Sequence, residues 1–331
     1  MSEFNGKLNS RLAYWISLDF TSEVAQMDTN RPPRVLRRAL YSVAGAAGIA
    51  AIGTVGISAY LTSRISAPRR SRRPAHYTFT PWEFQIPYRE LMIPVDGSEI
   101  SAWHLAQDDP TAPCILVLTG FASHKAELLG ISSNLHRDGF QILLVDFRGS
   151  GRSPGEMVTM GHNETIDAQA AVDWISTELP EAPIGVLGYS MGGSVALMLT
   201  ASNPQIGAIV SDSAFATQRE ILRHHTRRRT RLWPTPILAA ADPLLRKKHG
   251  HRIDDFSPAL SVGHIAPRPF LQIHPKDDQV VPFSQAMTIR DRAGEGFESW
   301  YLEEAGHCGA YFADRPGYCK RISEFFSRSL R

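Results

Sequence analysis

The chain of 331 residues carries 35 lysines and arginines against 33 aspartates and glutamates, and 43% of its residues are apolar while 21% are charged. Those fractions exclude a disordered chain, the near balance of charge gives no reason for a nucleic-acid partner, and the length suits one large core with an appendage. Three cysteines, Cys114, Cys308 and Cys319, form no CxxC pair, which argues against a disulfide scaffold or a structural zinc site.

Residues 1–38 read as an N-terminal tail in which "RLAYWISLDF" is the one stretch with the make-up of a short amphipathic surface helix. Residues 39–63, "ALYSVAGAAGIAAIGTVGISAYLTS", carry no charge. As a helix rising ~1.5 Å per residue they reach roughly 37 Å, enough to cross a ~30 Å hydrocarbon core with some tilt. This predicts one transmembrane helix, with a cleaved signal or a surface helix as the alternatives; Tyr41 and Tyr60 suit the interfaces. Arg31, Arg34, Arg37 and Arg38 before the span nearly balance Arg64, Arg69, Arg70, Arg72 and Arg73 after it, so orientation is weakly specified, with a slight lean to a cytoplasmic main domain. Residues 64–84 form a basic linker.

Beyond the linker, "RELMIPV" and "EISAWHLA" flank Asp96-Gly97-Ser98 and predict an antiparallel hairpin. "CILVLTG", "QILLVDF", "PIGVLGYS", "GAIVSDSAF" and "PFLQIHP" follow as short apolar runs, the pattern of strands buried on both faces of a mainly parallel sheet. Helical stretches separate them: "KAELLGISSNLHRDG" with a glycine stop, "NETIDAQAAVDWISTEL" opening on an Asn163 cap, and "PGYCKRISEFFSRSLR" with Tyr318, Ile322, Phe325 and Phe326 on one face. The expected fold is α/β, a doubly wound, mainly parallel sheet with an N-terminal hairpin, and its ligands bind past the carboxyl ends of the strands.

Chemistry gathers at those ends. In "GYSMGG", Gly188, Ser190 and Gly192 fit G-x-S-x-G, a strand-to-helix turn that exposes the serine. A serine needs a base, and His307, after the predicted strand "ESWYLE", is the candidate; most other histidines read as solvated surface groups. For the acid, "HPKDDQVVP" offers Asp278 with Asp277 as a solvated turn residue, while Asp212 in "VSDSAF" is the rival. Met191 N–H and, from "LVLTGFASHK", Phe121 N–H or else Ala122 N–H are the expected oxyanion donors. Asp146, in "DFRGSGRSPG", reads as a tie for a glycine-rich loop.

Together, "TGFASHK", "DFRGSGRS", "GYSMGG", "HPKDDQVVP" and "AGH" resemble the α/β-hydrolase superfamily over about residues 89–326, in particular its membrane-associated and dipeptidyl-peptidase-like serine hydrolases. The resemblance implies the α/β-hydrolase fold and a triad of Ser190, Asp278 and His307, with Met191 and Phe121 as donors; the family's His-Gly-x-x-Asp spacing aligns the acid with Asp278 and not Asp277. Thr119 and Pro275 depart from the family's usual histidine and glycine. A short helical cap is expected at about residues 216–267, within a hydrolase domain at residues 85–331. Its run "RHHTRRRTR" reads as a solvated basic face, with acidic headgroups or an anionic substrate as the alternative.

No cofactor or metal is called for, and the two histidines of "HGH" are too few to hold one. The expected function is a membrane-anchored, single-pass serine hydrolase that cleaves a carboxylic ester or thioester of a small-molecule or lipid-like acyl substrate. Amide or peptide hydrolysis by the same triad is the enzymatic alternative, and a non-catalytic membrane-tethered scaffold is the alternative of another class.

Overall fold

A computed structural model describes residues 41–42, 53–56, 58–59, 79–155 and 158–331. The predicted tail and linker, and most of the predicted span at 39–63, lie outside the described residues, and among those described no helix is long and apolar enough to cross a membrane. Val55–Arg331 form one compact unit.

The hairpin forms at its predicted place. β1 (Arg89–Val95) and β2 (Ser98–Leu105) pair antiparallel from Val95↔Ser98 to Arg89↔His104, and Asp96 and Gly97 turn between them at φ 43° and 69°. Two consecutive positive φ values match a turn that follows the right-handed twist of the strands, and they are tolerable because aspartate and glycine occupy the positions. Asp146 N donates to the Ser101 carbonyl, and β2 runs antiparallel to β4 (Gln141–Val145), which joins the hairpin to the sheet.

From there all pairing is parallel: β4 with β3 (Cys114–Leu118), β3 with β5 (Ile184–Tyr189), then β6 (Ile206–Asp212), β7 (Phe270–Pro275) and β8 (Phe297–Leu302). The eight strands lie in the order β1-β2-β4-β3-β5-β6-β7-β8. Every residue of β3, β4 and β5 is buried, as continuous apolar runs covered on both faces require.

Two helical layers supply the cover. On one face, α2 (His162–Glu178) contributes Ala168, Ala171, Val172 and Ile175, and α3 (Met191–Ser202) contributes Val195, Ala196 and Leu199. On the other, α1 (Leu129–Arg137) and the C-terminal helix Arg315–Leu330 press Leu135, Tyr318, Ile322, Phe325 and Phe326 into a second core cluster. The stripe read from the last helix is thus its buried face.

One local expectation changes. Asn163 does not cap α2: the helix begins two residues earlier, after Gly161 at φ 130°, and the Glu164 carboxylate accepts the N–H groups of Gly161 and Thr159 and the Thr159 hydroxyl. A buried carboxylate that satisfies three donors outcompetes a half-buried asparagine cap. The stretch expected as a cap, residues 216–267, holds α4 (Gln218–Thr230), capped by the Thr217 hydroxyl, and α5 (Pro234–His249), opened by its proline and closed by Gly250. Ile221, Leu222, Leu238 and Leu245 of these helices join the main core cluster, as do Phe256, Ala259, Val262 and Ile265 beyond them.

Candidate active site

Ser190 stands between β5 and α3 at φ 52°, ψ −116°, a backbone conformation that a residue bearing a side chain rarely adopts. It is held there from both sides. Ser190 N donates to the Asp212 carbonyl at 2.8 Å, and the chain then enters α3 through Ser194 N donating to the Ser190 carbonyl at 3.1 Å. The flanking glycines are required by space: a Cβ on Gly188 would overlap the Gly192 carbonyl, and a Cβ on Gly192 would overlap the carbonyls of Leu118 and Thr119.

His307 follows β8 on a short loop. Its Nε2 lies 2.9 Å from Ser190 Oγ and its Nδ1 lies 2.7 Å from Asp278 Oδ2. A nitrogen facing a carboxylate carries the proton, so Nδ1 donates to Asp278 and Nε2 is free to accept from the Ser190 hydroxyl. Asp278 is almost wholly buried, and its other oxygen accepts the N–H groups of Val280 and Val281 at 2.8 and 2.9 Å. Its carboxylate is therefore fixed in orientation by hydrogen bonds.

Asp212 does not touch His307. It is fully buried beneath the serine, where one oxygen accepts from Tyr318 and the other from Ser213, and burial pushes its carboxyl up to about 6. Ser213 Oγ in turn accepts the Cys308 N–H at 3.1 Å, so the rival acid steadies the backbone beside His307. Asp277, expected as a solvated residue, is exposed but engaged: its carboxylate accepts Ala305 N and Gly306 N at 3.0 and 2.9 Å, and these bonds hold its carboxyl below the usual range. Consecutive aspartates thus clamp the acid loop to the base loop, one through backbone and one through the imidazole.

The loop carrying Phe121 lies against Ser190, since a Cβ on Gly120 would stand 3.5 Å from Ser190 Cβ. Met191 opens α3 and is buried. The first peptide N–H groups of a helix point outward past its start, towards the space in front of the serine. Asp146 fits its reading as a tie: it is fully buried and accepts from Lys125 N, Lys125 Nζ and Arg152 N.

Three groups were missed by sequence reasoning. Lys125, fully buried, sets Nζ 2.9 Å from Asp146 and 2.6 Å from Ser101, over the face of Trp103, and so fastens the Phe121 loop to the hairpin. No local signal separates it from a surface lysine. His274, the last residue but one of β7, donates from Nε2 to the Val281 carbonyl at 2.9 Å behind Asp278, and burial lowers its pKa so that it stays neutral. Its signal was present: an ionisable residue in an otherwise apolar run. Tyr318, counted as core, donates to Asp212 while accepting from Tyr189.

A family model described as alpha/beta hydrolase fold matches residues 113–242. Among solved structures, the Pyrococcus furiosus esterase Pf2001 superposes with a TM-score of 0.64 at 21% identity, covering 78% of this chain and all of that one. The sheet order, the hairpin at its edge and this match define the class: the chain has the α/β-hydrolase fold. Two relatives narrow the neighbourhood. The uncharacterized protein YqkD of Bacillus subtilis is 29% identical over 262 residues, 78% of this chain and 85% of that protein. The lysophosphatidylserine lipase ABHD12 of Rattus norvegicus is 30% identical over 235 residues, 66% of this chain, which spans 56% of the lipase's length.

Proposed function

We propose that this protein is a serine hydrolase that cleaves a carboxylic ester or thioester, with Ser190 as nucleophile, His307 as general base and acid, and Asp278 as the group that orients and charges-balances the imidazole. The observation that carries the reading is the pair of contacts on one ring, 2.9 Å to Ser190 Oγ and 2.7 Å to Asp278 Oδ2. Esterase and lipase names among the comparisons favour ester over amide.

In this reading Ser190 Oγ attacks the acyl carbon as its proton passes to His307 Nε2, and the carbonyl oxygen gains its negative charge facing Phe121 N–H and Met191 N–H. His307 returns the proton to the leaving oxygen or sulfur as the C–O or C–S bond breaks. Water then attacks the acyl-enzyme, its proton again taken by Nε2, and Ser190 is regenerated with release of the acid. Asp278 keeps its hydrogen bond to Nδ1 and stabilises the imidazolium. The protein acts at a bilayer, anchored by a single span at residues 39–63, and there takes lipid-like or other acyl substrates.

The test is fluorophosphonate labelling and p-nitrophenyl ester turnover by the detergent-solubilised chain beside Ser190→Ala. Labelling of wild type that Ser190→Ala abolishes, with a fall in kcat on the order of 10⁶, is expected. Folded wild type that neither labels nor turns over ester refutes the reading, and a marked preference for aminoacyl anilides moves it to amide hydrolysis.

A further inference from the structure

The cap is not a uniform basic face. On α4 the residues at positions 220, 223, 224 and 227 lie three and four apart and share one side of the helix, and Arg231, the left-handed residue that ends it, continues that side, while Arg228 and Arg229 do not line it. That side lines a groove of about 720 Å³ whose opposite wall is Pro282 with Ser284 and Thr288 of the helix Phe283–Arg290.

The arginines of this helix have different fates. Arg219 is neutralised by an ion pair with Asp254, and Arg228 donates to the Gln279 carbonyl at 2.7 Å. Arg223, Arg227 and Arg231, all in the groove, have no carboxylate within ion-pair distance among the described residues, and the groove holds one carboxylate, Glu220, against the three.

The groove adjoins the acid loop, because His224 Nε2 and Arg228 both reach the carbonyl of Gln279, the residue after Asp278. At its mouth Trp233 is 79% exposed beside Leu232, an apolar edge next to the guanidinium wall. Guanidinium forks one helical turn apart suit a group with several anionic oxygens, which a phosphate offers and a lone carboxylate does not.

We propose that this groove binds the phosphate group of an amphiphilic ester substrate whose acyl end is cleaved at Ser190. The inference rests on the hydrolase reading for the word substrate, and on the groove alone for the phosphate.

Binding is therefore measured apart from turnover, on the full chain carrying Ser190→Ala. The probes are a 1-acylglycerol 3-phosphate, the matching neutral 1-acylglycerol and inorganic phosphate. The phosphorylated probe is expected to bind roughly tenfold or more tightly than the neutral one, with inorganic phosphate competing. Adding Arg223→Gln and Arg227→Gln makes the two affinities converge, whereas Arg229→Gln, exposed on the same helix but off the groove, preserves the preference. A preference that survives the double substitution, or that Arg229→Gln abolishes equally, overturns the site. So does binding to phosphatidic acid vesicles that depends on Arg223 and Arg227 while the soluble probes do not, since the arginines then meet a membrane surface. If Ser190-containing enzyme hydrolyses neither ester while the binding preference stands, the hydrolase reading fails and the phosphate site does not.

Discussion

At the scale of single residues, the site separates two acids that the sequence left as rivals. Asp278 contacts the imidazole and Asp212 does not, so Asp278→Ala is expected to lower kcat by about 10⁴ while Asp212→Asn stays within about tenfold of wild type, checked by ester turnover at saturating substrate. Asp212 makes its mark on stability. Its folded value of about 6 lies above the ordinary 3.8, so between those pH values the folded state retains a proton that the unfolded chain releases. Stability conferred through Asp212 is therefore highest below about pH 4 and falls by roughly 3 kcal/mol as pH rises to about 6. In urea unfolding, the difference between wild type and Asp212→Asn should shift by that amount across this window and be flat above it. The spacing of "HPKDDQVVP" already favoured Asp278, and Asp212 stayed a rival because both acids follow strands; which one reaches the imidazole depends on where the His307 loop descends.

At the scale of elements, the strand-to-helix turn was legible and its reason is steric. Gly192 has no room for a Cβ because α3 begins against the end of β3, so Gly192→Ala should destabilise the fold on the order of 3 kcal/mol or more, read as a fall in Tm. The fastening of the Phe121 loop was not legible. Lys125 and Asp146 are 21 positions apart, and only the parallel pairing of β3 with β4 brings the segments that follow these strands together. Lys125→Met leaves the Asp146 carboxylate buried without its cation, and a loss of about 3–5 kcal/mol is expected in chemical denaturation.

At the scale of the whole molecule, the sheet order explains why a serine, an acid and a base spread over 117 positions meet at all. β5, β7 and β8 run parallel, so the residues that follow their carboxyl ends, Ser190, Asp278 and His307, emerge on one edge of the sheet. The proposed anchor belongs to this scale too. Full-length protein is expected to stay with membranes through an alkaline carbonate wash, and aspartates at Ala50 and Gly53, each costing about 3 kcal/mol at a helix centre, should release it. By itself the sequence determined the alternation of buried strands and helices, the hairpin turn, the nucleophile's turn and the buried stripe of the last helix, since each depends on periodicity or on local backbone sterics within a few residues. The tertiary structure brought the expected Asp278 to His307 and set Asp212 apart from it, and it alone decided that Asp277 clamps the base loop, that Lys125 is buried on Asp146, and that Arg223 and Arg227 of α4 share a groove with Arg231 just past its end. Those outcomes depend on contacts between segments distant in the chain, where distance and desolvation, rather than residue type, choose the partner.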